Sequence, residues 1–356
     1  MNVMLESKSC IATPPGATIK EQLDDRCMTQ KEFASRMGMS EKHISKLING
    51  GVHLTPDTAE KLEMVLGVPA GFWNKLEAIY QEKLAKVKNE NEMDKEKELM
   101  KKYPYSKIAE WGMVPMTSNW KEKVVNLCKY FEVSSLNLLQ NKELMPIACR
   151  KLSDTEKSTF IMLTLAQYAK IKARNISTAP FSKDALKEKL KEIRTLTLHE
   201  IVDFDEELAD ILKSCGIALV YLPQIQGSFL HGISFYDSNT NKIVIGITMR
   251  GKYADRFWFS LFHEISHILE GHIYQKEGTS ENDEKQADRL AAEFLIPSAP
   301  LKQFYQDGNY SVHAIENFSD SIKVGMDIVI GRLQNDNKIR QNQMNQYKKK
   351  YHELVS

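Results

Sequence analysis

Two imidazoles four residues apart with a carboxylate between them, His263-Glu264-Ile265-Ser266-His267, carry more chemistry than any other run in this chain. On an α-helix, residues four apart are separated by about 40° around the axis, so both rings reach one ion while Glu264 flanks the remaining position. Zinc held in that way is the centre of a metal-dependent hydrolase. The rival reading, a hydrogen-bonded pair of core histidines, leaves Glu264 as a third buried polar group in search of a partner.

The helix that must carry these residues is legible around them. Phe257-Trp258-Phe259-Ser260-Leu261-Phe262 runs into the motif and Ile268-Leu269 follows, so the helix is apolar on nearly every side and is expected to be buried. A catalytic zinc needs a third protein ligand. The metzincin arrangement would require glycine at 270 and histidine at 273, where this chain has Glu270 and Ile273. If the helix continues, His272 lies about 180° from His263 and faces elsewhere.

The third ligand is therefore expected downstream, where Asn282 to Leu295 reads as a helix with Ala287, Leu290, Ala291, Phe294 and Leu295 on its buried stripe and Pro297 just beyond. Glu284 heads that stripe, and a carboxylate on an apolar face needs a cation. Asp288, one turn on, is placed to hydrogen-bond a ligand histidine and fix its tautomer, although it also competes with Glu284 for the ligand role. Glu281 and Glu293 read as solvated charges. With two histidines, one glutamate and an open fourth position, the expected chemistry is activation of water, Glu264 taking its proton and passing it to the leaving amine of a peptide.

Before this helix the pattern changes to short β-rich runs, at 217–222, 229–236 and 242–247, with the turn-rich Asp237-Ser238-Asn239-Thr240-Asn241 between the last two. A small sheet beside the zinc helix is expected, one strand of which holds an extended peptide by edge pairing. His231 is a candidate donor to a developing oxyanion, against the plainer reading of a strand histidine.

At the other end, Met28 to Met37 and Ser40 to Asn49 read as two capped helices joined by a tight turn at Gly38-Met39, with Thr55 and Pro56 opening a third helix through Leu66. In a helix-turn-helix, the second helix offers polar residues of its N-terminal part to the major groove. Ser40, Lys42, His43, Ser45 and Lys46 then face double-stranded operator DNA, Gln30 and Asn49 touch phosphates, and Phe33, Ala34, Met37, Met39, Ile44, Leu47 and Ile48 form the core. The plain alternative is a helical bundle with a solvated polar face.

The remaining chain divides by composition into a disordered tail at 1–17, the DNA-binding domain at 18–87, a charged linker or helical extension at 88–102, a helical connecting region at 103–199, the peptidase-like domain at 200–335 and a polar tail at 336–356. Capping boxes or caps are expected at Ser153 to Glu156 and at Ser182. Phe318 to Asn335 loosely repeats the apolar spacing of Phe33 to Gly50, but without a comparable polar face a helix pair closing the peptidase domain is the expectation rather than a second DNA reader. The net charge of +1 gives no global basic field. Five cysteines without a CxxC pair suit a reducing cytosol, and no apolar run approaches membrane-spanning length, so a cytoplasmic protein is expected.

Both ends resemble known families. The C-terminal part, roughly 200 to 300, resembles the ImmA/IrrE-type zinc metallopeptidases, on the HExxH run and on Glu284-x-x-Ala-Asp-x-x-Ala-Ala-Glu-Phe-Leu-Ile-Pro297. The N-terminal part, roughly 18 to 85, resembles the Xre-type, lambda-repressor-like domain of HigA-type antidotes, on Leu47-Ile48-Asn49-Gly50 and Pro69-Ala70-Gly71-Phe72-Trp73. The resemblance implies an α+β, mostly α architecture in which a lambda-repressor-like bundle is followed by a helical middle region and a zincin-like domain with a small sheet. It implies zinc on His263, His267 and Glu284, Glu264 as catalytic base, and a gluzincin-like endopeptidase acting on a repressor, a cognate toxin or the chain itself. A homodimer reading paired half-sites is expected with it. The competing expectation is a non-enzymatic antidote or repressor whose metallopeptidase fold serves as sensor or scaffold.

Overall fold

The computed structural model describes residues 5–7, 10–140, 156–225, 228, 230–249, 253–275 and 278–351. The expected cap at Ser153 and strand start at Phe229 lie outside them. The chain falls into two compact units, 1–99 and 100–356, and is mostly α with one small mixed sheet. No described helix is long and apolar enough to cross a membrane.

In the first unit, β1 (Leu5–Glu6) pairs antiparallel with β2 (Ile11–Ala12), and α1 (Gly16–Asp25), α2 (Gln30–Met37), α3 (Glu41–Ile48), α4 (Pro56–Leu66) and α5 (Ala70–Lys102) follow. Thr29, Ser40 and Thr55 sit in extended backbone and accept the N–H groups of Glu32, His43 and Thr58, so α2, α3 and α4 each begin on a satisfied cap. Gly38 ends α2 at φ 65°, a left-handed conformation open to glycine at little cost, and this sharp stop turns the chain into α3. Phe33, Ile44, Leu62 and Trp73 are fully buried between these helices.

The expectation of a disordered tail at 1–17 is corrected for the described residues. Ala12 is buried against Tyr80 and Val87 of α5, and a Cβ on Gly16 would overlap the backbone of Ile48. The hairpin is too short to show a strand period, so no pattern in the sequence announces it. The charged stretch 88–102 continues α5 as helix.

The second unit contains α6 (Tyr105–Glu110), α7 (Trp120–Phe131), α8 (Glu156–Ala173), α9 (Lys183–Thr195) and α10 (Ile201–Ser214), then β3 (Ile217–Leu222), β4 (Gly232–Asp237) and β5 (Lys242–Thr248). The sheet order is β3-β5-β4, with β3 parallel and β4 antiparallel to β5, so β4 is an edge strand. Asp237 closes the β4–β5 turn by accepting from the Asn239 N–H and the Thr240 hydroxyl. Residues 217–220 and 243–248 are buried throughout, as expected of strands covered on both faces, and α8, α10 and α11 (Ala254–Leu269) contact the sheet.

The boundary expected near residue 200 falls too late. Residues 161–169 of α8 are buried on every side, and α8 packs on β3 and β5. Leu186, Ile193 and Phe204 join the core that surrounds α11. The region read as a connector is therefore part of the body that positions the motif. An all-round apolar helix such as 160–169 is a signal of burial, not of connection.

Helices α12 (Glu281–Leu295), α13 (Ser298–Asp307), α14 (Val312–Ile322) and α15 (Met326–Asn335) complete the unit. Ile328, Val329, Ile330 and Leu333 of α15 are in the core, so that helix has no free face for a DNA groove. The polar tail expected at 336–356 is also corrected as far as 351. Tyr351 is buried against Phe204 and Phe257 and accepts from the Trp258 indole at 2.8 Å, the Ala254 N–H donates to Lys349 O, and Lys348 pairs with Asp255 at 2.6 Å. The Ala254 N–H is thereby satisfied at a helix start that has no side-chain cap, and the segment 348–351 is held against α11.

Candidate metal centre and nucleic-acid face

Helix α11 presents His263 and His267 on one face, one turn apart, and α12 lies beside it. Ser280 starts α12 through a capping box with Asp283, and this sets the rotation of the first turn, which carries Glu284. The result is a triangle of ligand-type atoms. His263 Nε2 and His267 Nε2 are 3.0 Å apart, and Glu284 Oε2 lies 3.2 Å from the first and 3.5 Å from the second. Atoms bound tetrahedrally at about 2.0–2.2 Å from zinc stand roughly 3.3–3.6 Å from each other, so the residues fit that ion in donor type and number, and separations of 3.0, 3.2 and 3.5 Å need open by only a few tenths of an ångström to receive it.

The electrostatics ask for the same thing. Burial opposes charge on His263, yet its hydrogen bonds to Asp288 and Glu284 outweigh this and push it up to about 10. Burial likewise opposes charge on Glu284, and hydrogen bonds from His263 and His267 hold it well below the usual carboxylate range. Positive charge is favoured where the three atoms meet, and either a proton or a metal ion supplies it.

The far nitrogens are also held. His263 Nδ1 is 2.9 Å from Asp288 Oδ1, which puts Asp288 behind a candidate ligand and Glu284 in front. His267 Nδ1 is 3.0 Å from His272 Nδ1. The expectation that His272 faces elsewhere is overturned. The helix stops at Leu269, Gly271 takes φ 75°, and the chain folds back so that His272 is buried beside His267. Gly271 is the readable signal, because a glycine just past a periodic stretch ends a helix in the left-handed conformation.

Glu264 points toward β4. Its Oε2 accepts the Ser234 hydroxyl at 2.6 Å, and a Cβ on Gly232 would stand 2.7 Å from its Oε1, so any larger residue there would displace the carboxylate. Burial pushes the Glu264 carboxyl up, against the pull of His263, His267 and the Ser234 hydrogen bond. Neither Ser234 nor Gly232 carries a spacing that would identify it in advance, since the contact crosses 30 residues of chain. A cavity of about 560 Å³ opens over these groups, with Ile161, Met162, Ile233 and Phe259 as apolar walls. His231 lines it as an exposed residue ahead of β4, outside the triangle of atoms.

On the first unit, Gln30, Ser40, Lys42, His43 and Lys46 are exposed, while Ser45 and Asn49 are half-buried and the Asn49 amide donates to Ser45 O at 2.8 Å. The expected core residues are buried except Met39, which is half-buried beside them.

Comparisons with known proteins match both units. The family model described as Helix-turn-helix matches residues 19–73, and that described as IrrE N-terminal-like domain matches residues 228–334, which include His263, Glu264, His267 and Glu284. Over 63 residues the chain is 36% identical to the uncharacterized HTH-type transcriptional regulator YddM of Escherichia coli (strain K12), a match covering 18% of this chain and 67% of that protein.

Proposed function

From a chain that belongs to the helix-turn-helix transcriptional regulators and joins to them an IrrE N-terminal-like domain, we propose a DNA-binding regulator whose second unit is a zinc-dependent endopeptidase. Its substrate is a peptide bond in a regulatory protein, a repressor or cognate toxin, or in the chain itself. The observation that carries the reading is the approach of two imidazole nitrogens and one carboxylate oxygen from two helices to within 3.0–3.5 Å of one another.

His263, His267 and Glu284 would hold the ion, and Asp288 would fix the His263 ring by accepting a hydrogen bond from its Nδ1, leaving Nε2 as the donor atom. Bound there, zinc supplies the charge that acidifies water and polarises a scissile carbonyl. Glu264 removes the proton from the attacking water and delivers it to the leaving amine. Ser234 orients the carboxylate through its hydroxyl, and the raised affinity of Glu264 for a proton suits a group that must both take and return one. The edge of β4 that pairs with no other strand among the described residues, beside Glu264, offers backbone groups to an extended peptide. His231 stands at the start of that edge as a donor toward the carbonyl oxygen.

In the first unit, Lys42 and Lys46 on α3 supply charge to the phosphates, Ser40, His43 and Ser45 reach the major groove, and Gln30 and Asn49 hold the backbone. Such a reader works on double-stranded operator DNA in the cytoplasm, as a homodimer on paired half-sites.

The test is metal analysis of protein purified without added zinc, together with mass spectrometry of host repressors incubated with wild type and with Glu264→Gln. The expectation is about one zinc per chain and discrete products from the wild type alone. If both proteins yield the same products, the peptidase is lost and a regulator with a metal-binding scaffold remains.

A further inference from the structure

Behind His267 lies a polar chain that the hydrolytic reading leaves unused. His267 Nδ1 and His272 Nδ1 are 3.0 Å apart, both rings are buried, and the rings meet at 64° with centroids 5.1 Å apart. On its other side His272 Nε2 faces Asp283 Oδ1 at 3.5 Å. Asp283 uses its second oxygen, Oδ2, to accept from the Ser280 N–H and hydroxyl, each at 2.7 Å, in the capping box of α12.

Two facing imidazole nitrogens share one proton, so one donates and the other accepts. If His267 gives its Nε2 lone pair to the metal, its single proton is on Nδ1 and His272 must accept with a bare Nδ1. The proton of His272 is then on Nε2, toward Asp283. Each assignment follows from the one before it. The backbone turn that holds Asp283 in the cap also carries Glu284, the neighbouring residue.

We propose that His272 is a positioning residue: a buried imidazole that fixes the tautomer and ring orientation of His267 and ties them, through Asp283, to the capped turn that presents Glu284. This rests on the metal reading of the previous subsection. The structure thereby links the two helices at a second point behind the ligands, so that His267 and Glu284 are set by one arrangement. Outer partners of metal-bound histidines are usually carboxylates or carbonyls, and their loss weakens metal binding by about 10–100-fold. Here an imidazole takes that place because Gly271, at φ 75°, returns the chain to the ring it has just left.

The experiment measures zinc affinity of the full chain by competition with a chromophoric chelator, with the melting temperature of the metal-free protein measured alongside. His272→Phe keeps the bulk but removes the acceptor, and is expected to weaken zinc about 10–100-fold. His272→Asn, whose side-chain oxygen can accept from His267 Nδ1, is expected to recover most of the loss. Phe binding zinc as tightly as wild type overturns the proposal and leaves the metal reading intact, whereas a wild type that binds no zinc overturns the metal reading itself. Should the variants fail to fold, nitrogen-15 NMR of the zinc-loaded wild type decides: protons on His267 Nδ1 and His272 Nε2 are expected, and the opposite pattern at His272 overturns it.

Discussion

The two units hold their candidate functional residues in opposite ways. On α3 the side chains proposed to meet DNA are mostly exposed and come from one short helix and its caps. Around α11 the groups come from two helices, an edge strand and a folded-back turn, and nearly every polar atom is engaged by another. A surface reader of charge is built from separate contributions and degrades gradually. A convergent buried centre stands or falls as a set, because removing one partner strands the others in low dielectric.

That contrast orders the expected effects. Glu264→Gln keeps the shape and the metal ligands but removes the base, so hydrolysis should fall by about 10²–10⁴-fold with zinc content unchanged. A parallel fall in zinc content would make Glu264 a structural residue. Gly232→Ala pushes a methyl against the same carboxylate and should lower hydrolysis by roughly tenfold or more while operator binding stays constant. Equal losses in both assays would mean that the units are not independent.

Burial should also appear as pH dependence in the second unit. Asp327, at the first turn of α15, is pushed up by burial to about 6, against the attraction of Lys349 and with the help of Asp255. Its native affinity for a proton exceeds that of the unfolded chain, where the carboxyl titrates at 3.8. The native state therefore binds more protons between about pH 4 and 6, and stability falls as pH rises through that window, by an amount on the order of 2–3 kcal/mol. Denaturant titrations across pH 4–7 should find this slope in wild type and a flatter one in Asp327→Asn. An equal slope in both would show that Asp327 is not its source.

The smallest change is expected on α3. Lys42→Ala with Lys46→Ala should weaken operator binding by about tenfold at moderate salt and reduce the slope of log K against log salt by about two. Unchanged affinity and slope would return that face to the plain solvated bundle and remove one side of the comparison.

Much of this architecture is legible in the residues alone. The caps at Thr29, Ser40 and Thr55, the turn at Gly38 and the apolar faces between them are all local signals, and local signals survive in a sequence. The pairing of His263 with His267 is equally legible because both sit on one helix. Helical period alone puts Glu284 and Asp288 toward the face that meets His263, since a capped helix after a buried helix leaves few ways to present its first turn. What a sequence hides is contact at a distance or at a break. His272 reads as the continuation of a helix that Gly271 in fact ends, Ser234 and Gly232 meet Glu264 only through sheet packing, and the tail around Tyr351 looks polar because one buried ring among lysines and glutamines barely alters composition.

By itself the amino-acid order determined which side chains share a helical face and where most helices start, and hence a pair of histidines on one helix, a choice between Glu284 and Asp288 on the next, and a capped helix pair in the first unit. Only the tertiary structure decided how α12 lies against α11, that α8 belongs to the same body, and what stands behind each imidazole. The physical reason is one of range. Helical period and capping are short-range and repeat along the chain, whereas the packing of side chains from distant segments depends on volumes and directions that no single stretch contains.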